Sequence, residues 1–203
     1  MRHSELVRRI ESVPAFAHPR PELEQVVTPA EAAADLLQTA VRLDGLEGMA
    51  VTDLGCGTGR LAIGAALLGA SPVCGVERDE DALRLARGAA EVAGVTVEFS
   101  AGDVADWDRP ADVVVMNPPF GAQRQHADRP FWDVSLRLAR RSVYGFALSD
   151  SRTFIARRAV ARGARIVETH PVPWSLGRIF PHHTRARVAI PVDLWVIATG
   201  TKP

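Results

Sequence analysis

Two periods of apolar residues alternate along this chain. From Met49 onward, short β-branched and apolar runs are separated by longer stretches in which apolar positions recur every three to four residues. The short runs predict strands at about 50–54, 73–77, 95–99, 111–116, 143–148 and 164–169. The longer stretches predict helices at 59–69, 79–93, 130–141 and 151–162. Gly69 and Gly94 stand where C-terminal caps belong, and Asp79 where an N-cap belongs. The last segment, Val188 to Thr199, is again β-rich, broken only by Pro191, and follows a loop rather than a helix. It is expected as an antiparallel final strand beside 164–169. Alternating units of this length predict an α/β fold, a mostly parallel seven-stranded sheet with helices on both faces.

Ahead of these units, Ser4 to Ser12 predicts a helix with Leu6, Val7 and Ile10 on one face. Pro14, Pro19 and Pro21 then enforce an extended stretch. Thr28-Pro29-Ala30-Glu31 predicts a helix start, with Thr28 as N-cap, Pro29 in the first turn and Glu31 reaching back. That helix should run to about Leu43 and end at Gly45 and Gly48. The chain is expected to form one domain, 1–203, with 1–45 as a helical extension near the site described next.

Composition changes this picture little. Hydrophobic residues make up 47% and charged residues 24%, ordinary values for a folded water-exposed domain. The longest apolar run is too short for a membrane span, and no basic start with an apolar core suggests a signal peptide, so a cytoplasmic protein is expected. Cys56 and Cys74 lack metal-ligand spacing and are expected as small buried fillers, with no metal. Net charge is zero, which excludes a generally cationic nucleic-acid binder. Lys202 is the only lysine; the other positive side chains are arginines, suited to phosphate forks and base stacking.

Chemistry concentrates in Met116-Asn117-Pro118-Pro119-Phe120-Gly121, a loop leaving the apolar run Val113-Val114-Val115. Asn117 offers an amide oxygen as acceptor. Pro118 and Pro119 carry no N–H, so no donor competes beside the carbonyls they flank, and Pro119 holds residue 118 extended. Asn117 Oδ1 and the Pro118 carbonyl can therefore take both hydrogens of a planar NH2, with Phe120 offering a flat face to its ring. Taken alone, the same residues also suit a plain Asn-Pro turn. Upstream, Val51-Thr52-Asp53-Leu54-Gly55-Cys56-Gly57-Thr58-Gly59-Arg60-Leu61 runs from a strand through a glycine turn into a helix, the pattern that brings backbone close to a ligand. Nucleotide- and phosphate-binding turns share it.

Acidic residues follow successive strands. Glu77, 18 residues after Gly59, can accept ribose hydroxyls, and Asp103 an adenine amino group. Asp53 can orient the glycine turn and meet an ammonium. Together they predict a nucleoside ligand lying across the point where strand order reverses.

The Asp53–Gly59 turn followed by Asn117-Pro118-Pro119-Phe120 resembles the amino-methylating class I S-adenosylmethionine-dependent methyltransferases, a Rossmann-like fold. Adding Leu23-Glu24-Gln25-x-x-Thr28, Leu67-Leu68-Gly69-Ala70, Val143-Tyr144 and Pro191-Val192-Asp193-Leu194, nearly the whole chain resembles one family. It is the archaeal and eukaryotic methyltransferase-like family that makes N6-methyladenosine in small-subunit ribosomal RNA. The resemblance implies S-adenosylmethionine contacts by Gln25, Thr28, Gly55, Thr58, Arg60, Glu77, Asp103 and Asn117, with Asp53, Gly57 and Gly59 in the same turn. It also implies a small zinc-ribbon activator subunit, expected at the third-strand edge. Departures are Val26-Val27 for Tyr-Pro, Ser149-Asp150 for His-Lys, and Phe180–Arg187 for a Phe-His-Lys-Lys-Lys stretch.

The implied reaction is direct methyl transfer, with Asn117, Pro118, Pro119 and Phe120 as the catalytic loop. RNA is expected at a mouth holding Arg124, His126 and Arg129 on one loop. The other side holds Trp174, Arg178, Phe180, His182, His183, Arg185 and Arg187, aromatics and cations interleaved for unpaired bases. Protein glutamine, DNA adenine and RNA guanine N2 also present a planar NH2 to such a loop. A cofactor-binding scaffold without activity would keep the glycine turn but leave the Asn-Pro-Pro-Phe loop unused.

Overall fold

The computed structural model describes residues 1–121, 123–177 and 187–200. Its main sheet contains β1 (Val51–Leu54), β2 (Val73–Glu77), β3 (Glu98–Ala101), β4 (Ala111–Met116), β5 (Ala139–Leu148), β6 (Arg165–Val172) and β9 (Val192–Ala198). The order is β3-β2-β1-β4-β5-β9-β6, and only β9 is antiparallel, paired with both β5 and β6. This is the Rossmann-like class I methyltransferase arrangement. Strand order reverses between β1 and β4, which pair Leu54 with Met116, so the loops after these two strands open side by side.

Helices cover the sheet because their apolar stripes need burial. They are α1 (His3–Glu11), α2 (Ala30–Leu43), α3 (Arg60–Leu67), α4 (Glu80–Ala93), α5 (Arg129–Leu138) and α6 (Arg152–Ala161). α1 buries Leu6 and Ile10, and α2 buries Leu36, Leu37 and four alanines between Ala30 and Ala34. These two helices pack on α3, where Gly64 sits directly against Leu37; any side chain there would strike it. Asp79 caps α4 by accepting from Asp81 N at 3.0 Å, and Gly94 closes it with φ +69°.

Four elements differ from their sequence pattern. β5 begins at Ala139, four residues early, and takes 139–141 from the end of the helix expected over 130–141. β3 begins at Glu98, three residues late: Val95 closes α4 through Ala90 O at 3.1 Å, and Val97 packs half-buried on the core before the strand starts. The final apolar segment is two strands. β8 (Arg187–Ala189) pairs with β7 (Ser175–Gly177) in a separate hairpin, and the chain breaks at Pro191 before β9. Thr28 does not cap α2. Pro29 occupies that position with its carbonyl on Ala33 N, and Glu31 instead meets His3 Nε2 at 3.0 Å. Among the described residues, no helix is long and apolar enough to cross a membrane, and no cluster of potential metal ligands is found.

Candidate active site

The loop after β1 is a turn built on positive φ at Gly55 (+69°), Gly57 (+53°) and Gly59 (+93°). Two aromatics close on it. A Cβ at Gly55 would lie 2.7 Å from Phe131, and one at Gly57 would lie 2.8 Å from Phe16. Neither aromatic carries a motif of its own, so sequence reasoning passed over both. Gly57 N donates to Glu77 Oε2 at 3.1 Å, while Glu77 Oε1 accepts from Arg78 N and Asp79 N. Glu77 therefore fixes the turn and keeps one lone pair, on Oε2, for a ligand.

Asp53 is 1% exposed. Its Oδ2 accepts from Ala62 N at 3.0 Å and its Oδ1 has no partner. Burial pushes its carboxyl up to about 8, with the Glu77 charge adding to the rise and the Ala62 N–H opposing it. Asn117, at the end of β4, donates from Nδ2 to Thr28 Oγ1 at 3.0 Å, which leaves Oδ1 buried and unpartnered. Both residues line one small cavity with Thr28, Gly55, Gly57 and Thr58. Buried acceptors are normally satisfied, so two together mark a place for donors from outside the chain.

A larger cleft of about 580 Å³ adjoins this cavity, bordered by Glu77, Asp103, Asn117, Pro119, Arg129 and Phe131. Asp103 accepts from Ala105 N at 2.9 Å and pairs with Arg78, which also borders the cleft. The remaining cofactor candidates are engaged within the chain. Gln25 donates to Asp79 at 2.6 Å and accepts from Arg20 N at 2.7 Å. Arg60 donates to the carbonyls of Thr28 (2.8 Å) and Val13 (3.2 Å), so its guanidinium anchors the N-terminal segment to α3.

Phe120 is half-buried and packs edge-on against Trp174 at 5.6 Å, and Trp174 packs on Phe146 at 5.0 Å. Trp174 is only 4% exposed, which corrects its expected role as a base platform: it is a wall behind Phe120. Pro118 is buried, and Pro119 lies in the cleft wall. Arg124, His126 and Arg129 are exposed at the rim. Arg178, Phe180, His182, His183 and Arg185 lie outside the described residues. Arg187 opens β8, and only its backbone is described.

Glu24 accepts from Gly121 N (2.8 Å), Gln123 N (2.8 Å) and Arg124 N (3.2 Å), tying the segment before α2 to the far side of the Asn-Pro-Pro-Phe loop. It does so from a left-handed backbone, φ +50°. Glu24→Gln removes the charge and leaves one acceptor oxygen. Amide exchange at 121–124 should then accelerate, because that short segment would open locally. Unchanged exchange there would show that the clasp does not hold the loop.

The methyltransferase small domain family matches residues 30–140. This chain belongs to that family. As a methyltransferase it is similar over nearly its whole length to the rRNA N(6)-adenosine-methyltransferase Mettl5 of Drosophila melanogaster, 34% identical with 95% of this chain and 94% of that one covered. The corresponding METTL5 of Danio rerio is 31% identical, with 95% and 97% covered. A crystal structure from Pyrococcus horikoshii, described as that of a candidate RNA methyltransferase, matches with a TM-score of 0.91 at 33% identity over 99% of both chains. One from Thermoplasma acidophilum matches at 0.77 and 28% identity, covering 97% of this chain and 96% of that one.

Proposed function

We propose that the protein transfers the methyl group of S-adenosylmethionine to the exocyclic N6 of an adenosine in small-subunit ribosomal RNA. The observation that carries this is the pair of orphan acceptors, Asp53 Oδ1 and Asn117 Oδ1, beside a glycine cradle, in a chain similar end to end to rRNA adenosine-N6 methyltransferases. The whole chain acts as one catalytic domain, with residues 1–45 walling the cofactor side, and the expected compartment is the cytoplasm.

The residues fit the cofactor. Asp53 Oδ1 meets its ammonium, the Gly55–Gly59 turn lets its backbone approach, Glu77 takes the ribose hydroxyls and Asp103 the adenine amino group. Gln25 must turn from Asp79 to join them. Bound there, S-adenosylmethionine supplies an electrophilic methyl group. The chain's own task is to position the nucleophile. Adenine N6 is a weak one because its lone pair is delocalised into the ring. Thr28 Oγ1 takes the Asn117 Nδ2 hydrogen and leaves Oδ1 unpartnered, so Oδ1 and the Pro118 carbonyl can accept the two N6 hydrogens and aim the lone pair at the methyl. Phe120, braced by Trp174, stacks on the base. The proton leaves after transfer, so no strong base is required. Alignment of this kind supplies roughly 7–11 kcal/mol of barrier lowering in well-ordered sites.

The test is label transfer from S-adenosylmethionine, methyl-tritiated, to small-subunit RNA, followed by digestion to nucleosides. Label should appear in N6-methyladenosine. Label in glutamine of a protein substrate, in guanosine N2 or in DNA adenine, with none in RNA adenosine, would overturn the assignment.

The reading includes a small zinc-ribbon activator subunit adding its own strand to the free side of β3. That strand has β2 as its one neighbour among the described residues. An exposed edge invites such pairing. Amide exchange at 98–101 should slow when the subunit binds; unchanged exchange there would place the contact elsewhere.

A further inference from the structure

A net charge of zero conceals a division. Residues 1–119 hold 10 arginines against 19 carboxylates, whereas residues 120–203 hold 13 arginines and Lys202 against five carboxylates. The boundary falls inside the Asn-Pro-Pro-Phe loop. Strand order separates the strands of the two parts, because β5, β9 and β6 all lie on one side of β4 and β1, β2 and β3 on the other, while α2 reaches across to β5.

On the described surface the positive excess concentrates along α6 and its exit, where Arg152, Arg157, Arg158, Arg162 and Arg165 are exposed. Asp193 neutralises Arg152 through two bonds of 2.7 Å, and Asp133 faces Arg158 at 3.2 Å. Arg157, Arg162 and Arg165 have no carboxylate partner among the described residues. Spacing of four places Phe154, Arg158 and Arg162 on one stripe of the helix, with Arg157 beside it. Phe154 connects this stripe to the cleft. Arg129, which borders the cleft, lies over its ring at 5.0 Å, and Arg158 lies over it at 5.4 Å. A basic strip therefore leaves the mouth at Arg129, crosses Phe154 and continues down α6 for about 15 Å at 1.5 Å per residue.

We infer that this strip binds the sugar–phosphate backbone of the RNA flanking the target adenosine. The inference rests on the RNA reading above and assigns to α6 an affinity separate from the base pocket. Arginine forks match phosphate oxygens, and such contacts act without regard to sequence. A membrane surface fits less well, since interfacial helices carry a broad apolar face and Val160 is the one large hydrophobic residue exposed on α6. The strip also explains how a neutral protein holds RNA, because the carboxylates that follow β2 and β3 lie at the other end of the sheet.

The test is the full-length triple variant Arg157→Gln, Arg162→Gln and Arg165→Gln, with Arg8→Gln, Arg9→Gln and Arg84→Gln as a matched control on the acidic half. RNA affinity is measured against salt concentration. The strip variant should bind about tenfold more weakly at low salt, and its log–log salt slope should flatten by roughly 2, at about 0.7–0.9 per lost phosphate contact. Its KM for RNA should rise with kcat, melting temperature and S-adenosylmethionine affinity unaltered, and the control should match wild type. An unchanged slope in a variant whose parent binds and methylates RNA would overturn the strip and leave the proposed reaction standing. A wild-type protein that binds phosphatidylserine vesicles but neither binds nor methylates RNA would overturn both.

Discussion

Asn117→Ala should lower methyl transfer roughly 100-fold or more in a protein that remains folded, the scale seen when one oriented polar contact to a reacting group is removed. At 1.36 kcal/mol per tenfold, that loss is about 2.7 kcal/mol of transition-state stabilisation. Two interactions disappear together. Oδ1 no longer accepts a hydrogen of the target amine, and Nδ2 no longer reaches Thr28 Oγ1 at 3.0 Å. The second loss leaves the hydroxyl of Thr28, a residue only 8% exposed, without that partner, a destabilisation of about 1–3 kcal/mol that should appear as a lower melting temperature. Phe120→Ala should act differently, raising KM for RNA more than it lowers kcat, because stacking contributes to base binding. Single-turnover assays with saturating RNA separate the two. Wild-type turnover in Asn117→Ala would remove the amine-holding role.

Asp53→Asn should weaken S-adenosylmethionine binding by about 10–150-fold, the range of a charge-assisted hydrogen bond worth roughly 1.5–3 kcal/mol. The amide can still accept from Ala62 N, so the turn should survive. The charge also predicts a pH signature. Burial raises the Asp53 carboxyl from 3.8 to about 8 in the ligand-free protein. A carboxyl raised on folding favours the native state fully below its unfolded value and loses that contribution as pH climbs toward its folded value. Ligand-free wild type should therefore lose stability relative to Asp53→Asn between about pH 4 and 8. An arriving ammonium favours the ionised form, so cofactor binding near pH 7 should release a proton. Calorimetry in buffers of different ionisation enthalpy measures this directly; unchanged affinity in Asp53→Asn with no proton released would contradict the assignment.

The sheet was legible because period alone separates buried strands from amphipathic helices, and an apolar final segment without a helix before it identified the antiparallel strand. Its failures have physical causes. Val95, Val97 and Phe99 alternate like a strand, yet the first two serve helix closure and core packing. Pro191 looked like a tolerated break, yet the chain divides there into separate sheets. Thr28 has the chemistry of an N-cap, and a residue 89 positions away claims its hydroxyl instead. The loop acids and glycines of the site could be read locally, because each sits at a strand end fixed by the fold. Phe16, Phe131 and the clasp of Glu24 could not, since their partners lie 41, 76 and about 100 residues away and no local pattern announces them. Trp174 was misplaced for the same reason: an aromatic in a basic segment suits a base platform until Phe120 and Phe146 are seen on either side.

Nucleoside mass spectrometry of small-subunit ribosomal RNA, from cells with and without this protein, tests the central claim most directly. The account predicts that one N6-methyladenosine disappears without the protein, returns with the wild type and fails to return with Asn117→Ala. An N6-methyladenosine content identical in all of these cells would contradict it.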